Sequence, residues 1–249
     1  MSNDSIVKTF LVAFLLCAVC SVLVCMAALV RIDREVYNKQ LEIRKTVLAA
    51  AGYDLDGDIN AMFTSDFEAK AVDLATGEYT DAVDLATYNE NEALEDPALT
   101  IESPAGNEAG LLKQVKYAVV YLSKGGDVVL PIRGAGMWGP ILGYIAVGPD
   151  ANTVKGLTFY QHAETPGLGG EIDNPKWKAL WPGKQIFDNS GKVAIKVVKN
   201  GKYDPNAADA VNTVDGLAGA TVTSVKVKGL VAYWFTDNGF GKYLAKLKK

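Results

Sequence analysis

The residues best suited to chemistry lie in the segment Asp215-Gly-Leu-Ala218-Gly219-Ala220-Thr221-Val-Thr223-Ser224. Three hydroxyls follow a run of small residues there, and a helical pattern opens directly afterwards. Val227, Leu230, Val231 and Trp234 fall at i, i+3, i+4 and i+7, the stripe of a helix packed on one face. Small residues let the backbone approach a bulky group closely. The first turn of a helix adds free amides and the positive end of a dipole, which suit an attached phosphate. Read from these residues alone, the segment is either such an anion site or a plain helix start capped by Thr223 and Ser224.

Other reactive residues lack the context their chemistry needs. His162 has Glu164 two residues on, but there is no second histidine and no cysteine beyond Val30, so neither a metal site nor a thiol dyad can be assembled. A Ser-His-acid triad needs only spatial adjacency, yet no nucleophile elbow recommends one. Gly134, Gly136 and Gly139 spell a dinucleotide fingerprint, but Pro140 and another strand follow where a helix is required. That pattern reads as a tight β-turn whose Trp138 is free to face a planar ligand. Asp54, Asp56, Asp58 and Asn60 resemble half a calcium loop. With Gly57 out of place and Ser65 where the glutamate belongs, they read as a turn.

The elements that position these residues follow from composition and periodicity. The chain has 249 residues, 49% of them hydrophobic, enough for a sizeable core, and a formal net charge of -4 that gives no field for nucleic-acid backbones. Thr9 to Val30 carries no charge and is long enough to span a bilayer as a helix. A cleaved signal peptide is the alternative; Arg31 and the charged helical stretch after it favour a retained anchor. Cys17, Cys20 and Cys25 all lie in this span, where Cys17 and Cys20 are either a redox or metal pair or small packing residues. The expected organisation is a transmembrane helix over 9–30, a stalk helix over 31–51 ending at Gly52, and one domain over 52–249. Within that domain, two copies of AVDLAT, Ala71 to Thr76 and Ala82 to Thr87, suggest a β-hairpin about Gly77, and Glu90 to Glu102 reads as an acidic solvated loop. Strands are expected at Tyr117 to Leu122, Val128 to Ile132, Ile141 to Val147, Val154 to Tyr160 and Val193 to Val198, with a short helix from Asn174 to Trp181. Short connections exclude crossover helices, so the fold class is α+β with a largely antiparallel sheet and packed helices.

Two motifs carry a resemblance. Asp215, Gly219, Ala220 and Thr221 match the D-x-x-(S/T)-G-A-T motif of the FMN-binding domain family, and His162-Ala-Glu164-Thr165-Pro-Gly167-Leu168-Gly169 resembles that family's H-x-E-T-P-G-L-G loop. The departure is Ala218, where the family has serine or threonine; the acceptor hydroxyl itself is kept. The segments Glu171 to Trp181, Gly134 to Trp138 and Asn238 to Leu244 are closer to the C subunits of sodium-translocating NADH:quinone oxidoreductases than to the related G subunits of Rnf complexes. The resemblance spans nearly the whole chain and is weakest in the acidic loop.

The resemblance implies one FMN per chain, joined by a flavin transferase through a phosphoester to Thr221. It also implies that the 162–169 loop lies against the ring, with Thr165, Leu168 and the loop backbone as contacts and Trp138 nearby. Read without it, Leu168 is also ordinary packing, and Glu164 a loop-capping carboxylate. The implied role is a subunit of a sodium-pumping NADH:ubiquinone reductase, relaying electrons from an iron–sulfur centre of the D and E subunits to the FMN of the B subunit. The implied location is the bacterial inner membrane, with the soluble domain on the periplasmic side. A rival reading is an anchored binding or sensor module without redox function.

Overall fold

The computed structural model describes residues 6–29 and 32–248; Val30 and Arg31, the expected junction of span and stalk, lie outside the described residues. The chain divides into two compact units, Met1–Glu42 and Ile43–Lys249. In the first, α1 (Ile6–Leu29) is a single apolar helix, long enough to cross a membrane, with no buried residue. Its three cysteines are all exposed on that helix. Helix α2 (Ile32–Ala50) crosses the division and ends at Gly52, whose φ of +82° is the left-handed conformation glycine adopts at little cost after a helix.

The second unit continues with α3 (Ile59–Asp66), β1 (Phe67–Asp73), β2 (Glu78–Tyr79), α4 (Glu90–Ala93), β3 (Thr100–Glu102), β4 (Lys113–Val115), β5 (Tyr117–Ser123), β6 (Val128–Ala135), β7 (Pro140–Val147) and β8 (Val154–Gln161). It then adds α5 (Pro175–Lys178), β9 (Lys196–Val198), β10 (Thr213–Asp215), α6 (Thr221–Trp234) and α7 (Gly241–Leu247). Six strands form one antiparallel sheet in the order β2-β1-β5-β6-β7-β8. Two small ribbons flank it: β3 with β4 antiparallel, and β9 with β10 parallel. This is the α+β architecture that the strand spacing predicts.

One face of the sheet makes the core. Leu130, Ile132, Ile141 and Ile145 face the buried stripe of α6, Leu230, Val231 and Trp234. Burying each such side chain contributes about 1.5–3 kcal/mol. Trp234 is also oriented, because its indole N–H donates to the Arg133 carbonyl at 2.7 Å. On the other face the Ala50 carbonyl lies against Gly156 of β8, and Tyr121, Tyr144 and Tyr160 form a row with ring centroids 5.8 and 5.6 Å apart.

Three sequence expectations change. The two AVDLAT copies do not form a hairpin. The first ends β1 and turns into the two-residue β2, with Val72 opposite Tyr79, whereas the second is a series of turns. Asp84 sets those turns by accepting the Ala86 amide at 3.0 Å. The first copy lies along β5 and buries Val72; the second lies along no strand and leaves Leu85 exposed. The acidic stretch is also more than a solvated loop. It contains α4 and β3, and the partly buried Glu90 carboxylate accepts the Val119 amide at 2.8 Å; burial pushes that carboxyl above its ordinary range. Finally, the strand expected from Val193 shortens to β9, with Val193 in an isolated bridge to Phe187.

Candidate functional site

Four pieces of chain meet at the start of α6. Strand β10 delivers Asp215 to the small-residue segment, and α6 begins at Thr221. Between them Gly219 has a φ of +72°, a left-handed conformation that costs a side-chain-bearing residue but not glycine. Ala220 occupies the cap position and supplies no side-chain hydrogen bond. The amides of Thr221, Val222 and Thr223 therefore have no intrahelical acceptor, the first intrahelical bond at this end being Ser224 N–H to the Ala220 carbonyl at 3.0 Å.

The hydroxyls of Thr223 and Ser224 are not the caps expected from the sequence. Helix α6 starts earlier than a cap at either residue requires, so both turn inward and are buried. Ser224 Oγ accepts the Leu217 amide and donates to the Ala220 carbonyl, each at 3.0 Å, which ties the segment to the helix. Thr223 Oγ1 donates to Glu164 Oε2. Thr221 alone of the three is exposed.

Glu164 joins the motifs. The residue is 5% exposed. While Oε2 accepts from Thr223, Oε1 accepts the Met137 amide at 2.7 Å and that of Trp138 at 3.4 Å. The 134–139 glycine pattern is the tight turn its sequence predicts, closed by Gly136 N–H to the Gly139 carbonyl at 2.7 Å between β6 and β7. It presents Trp138 at 66% exposure. The loop after β8 folds on itself, since the Thr165 carbonyl accepts the amides of Leu168 at 3.1 Å and Gly170 at 2.9 Å. A Cβ added at Gly219 would sit 3.3 Å from Leu168 Cδ2, so the loop tip lies against the small-residue segment.

Two residues of the motifs face elsewhere. Asp215 accepts the Gly201 amide on both carboxylate oxygens, at 2.9 and 3.1 Å, and its carbonyl accepts the Trp177 indole N–H at 2.9 Å. It braces the entry to the segment. His162 Nε2 lies 2.7 Å from Asp173 Oδ2, and its Nδ1 accepts the Glu164 amide at 3.2 Å. An Nδ1 that accepts carries no proton, which puts the ring proton on Nε2, toward Asp173. Ala218 is exposed, and Gly167 at the loop turn has a φ of +75°.

Nothing in the sequence marks Gly201 and Asp173, which sit in stretches without a reactive pattern. One legible signal went unread. Val222 and Val225 are apolar positions of α6 outside its core stripe, and both are exposed, as are Met137 and Leu168. An apolar rim thus surrounds the exposed Thr221.

This fold and site define an FMN-binding domain, and a family model of that description matches residues 136–236. The chain is 42% identical to the C subunit of the Na(+)-translocating NADH-quinone reductase of Pseudomonas aeruginosa, covering 100% of this chain and 98% of that relative. It is 41% identical to the C subunit of the Vibrio vulnificus reductase, over 99% and 97%. The crystal structure of NqrC from Shewanella oneidensis superposes with a TM-score of 0.78 at 32% identity, covering 85% of this chain and 99% of that one. The corresponding structure from Parabacteroides distasonis gives 0.65 at 28%, over 84% and 94%. The chain belongs to the family of C subunits of Na+-translocating NADH-quinone reductases.

Proposed function

We propose that this chain carries one FMN joined by a phosphoester to Thr221 and serves as an electron relay in a sodium-translocating NADH:quinone reductase. The observation that carries the reading is the contrast among the three hydroxyls. Thr221 is exposed on an uncapped helix start, whereas Thr223 and Ser224 are buried and hydrogen-bonded.

The residues present fit the group. The unengaged amides at the start of α6 and the helix dipole suit a phosphate on Thr221. Leu168, Met137, Trp138, Val222 and Val225 leave apolar surface exposed beside it, and covering such surface is favourable by about 25 cal/mol per Å². Thr165 and the backbone of Gly167 and Gly169 would hold the ring edge, and Ala218, Gly219 and Ala220 would let it approach. FMN supplies redox chemistry; the protein's part is to bind it, orient it and limit its contact with water. A cofactor that cannot diffuse away suits a relay, and such a role asks no catalytic acid or base of this chain.

In this reading residues 9–30 anchor the chain in the bilayer, 31–51 form a stalk and 52–249 the FMN domain. The electron donor is the iron–sulfur centre of the D and E subunits, the acceptor the FMN of the B subunit, and a flavin transferase acts during maturation. The relatives' subunit names support such an assembly.

Ultraviolet illumination of a denaturing gel tests the attachment. Mature full-length protein fluoresces, and Thr221→Val, which keeps the shape but removes the ester oxygen, gives a dark band. A dark parent band favours a sensor module, and mass spectrometry finding FMN on Thr223 or Ser224 would sink the assignment to Thr221.

A further inference from the structure

The first turn of α6 presents Thr221, yet no cap fixes that turn from outside. It is held from within. Thr223, 2% exposed, donates to one oxygen of Glu164, and the other oxygen gathers the amides of the 136–138 turn. Two glycines make room for this carboxylate. A Cβ at Gly136 would come 2.5 Å from Oε1 and one at Gly169 2.6 Å from Oε2, both closer than real Cβ atoms approach. A carboxylate this buried is tolerated only with charge-assisted donors, and here it has three. The clamp therefore joins the turn, the loop and the helix start through a single side chain.

We infer that Glu164, acting through Thr223, is the positioning residue for flavin attachment: it fixes the pitch and phase of the first turn of α6 so that the Thr221 hydroxyl stands toward the incoming phosphorus. The inference rests on Thr221 being the acceptor. With a flavin adenine dinucleotide as donor, Thr221 Oγ1 forms a bond to the FMN-side phosphorus and the bridging P–O bond breaks. AMP leaves with the electron pair, the hydroxyl proton passes to a base on the transferase, and nothing is oxidised or reduced. Glu164 touches none of these atoms. Its effect is on alignment, where small displacements cost rate steeply.

The test uses full-length protein in detergent with purified flavin transferase and the dinucleotide, following the fluorescent band with time. Thr223→Val removes the donor to Glu164. The expected result is a fall of about tenfold in kcat for attachment, the scale of a lost hydrogen bond to a charged group, with KM for the dinucleotide unchanged. Thr223→Ser, which keeps the hydroxyl, restores the rate. Glu164→Gln keeps the shape and also slows attachment, and the double variant is no slower than the slower single, because both changes remove one interaction. A parent rate in Thr223→Val, equal slowing in the valine and serine variants, or additive losses overturns the inference. Should Thr223→Val fold poorly, a parent rate in Glu164→Gln overturns it equally. A parent chain that gains no flavin at Thr221 instead removes the reading beneath it.

Discussion

Leu168 stands 47% exposed at the tip of its loop, beside Gly219. A lone exposed leucine needs no explanation, but this one borders Thr221 on a rim shared with Val222 and Val225. If the loop holds the flavin ring without making the bond, Leu168→Asp leaves FMN attached and shifts its absorption spectrum or potential. An unchanged spectrum and potential together would remove the loop from the ring. At this scale the sequence announced which two segments would meet, because motif residues and helix period are local. It did not announce the work of Asp215 and His162. The amide of Gly201 and the carboxylate of Asp173 become their partners only once β9, β10 and the loop after β8 are assembled. Nor could it tell a capping Thr223 from one turned inward, since that depends on where α6 starts.

Among the elements, β5 to β8 were legible because β-branched and aromatic runs bounded by glycine and proline are strong local signals. The repeated AVDLAT misled for the opposite reason: identical residues became strand in one place and turns in another, according to whether a neighbouring strand was there to pair with. The back face of the sheet carries its own prediction. Burial pushes the phenols of Tyr121 and Tyr160 from the usual 10.0 up to about 12, and that of Tyr144 well above its usual value. A group whose folded-state pKa is raised contributes stability that is complete below its unfolded value. That stability is lost as pH climbs toward the folded value, by about 1.4 kcal/mol per pH unit for each phenol. Stability of the parent should therefore decline between pH 10 and 12. Tyr121→Phe, at a neutral-pH cost of about 1 kcal/mol for its lost hydroxyl interaction, should decline less steeply. Denaturant unfolding followed by circular dichroism over that range decides it, and equal slopes would count against burial as the cause.

For the molecule as a whole, two opposed arguments bear on which side of the membrane holds the domain. The flanking charges point inward. Only Lys8 precedes α1, while Arg34, Lys39, Arg44 and Lys45 follow it in the described residues, with Arg31 outside them, and a local excess of positive charge is ordinarily retained in the cytoplasm. Asp33, Glu35 and Glu42 lie among them but weigh little in that rule. Against this stands the size of the domain beyond the stalk. The rule is written for short loops, and long domains cross largely regardless of charge, as the stretch from residue 52 onward would have to do. Resemblance to the FMN-binding family places the domain outside, where the flavin transferase works, so the expected topology is a cytoplasmic N-terminus and a periplasmic flavin. A reporter joined after Lys249 tests it, because alkaline phosphatase becomes active only outside the cytoplasm. An active phosphatase fusion is expected. An inactive one, paired with an active cytoplasmic reporter at the same junction, would mean that the charge rule governs this chain and that any flavin on Thr221 is attached on the inner side.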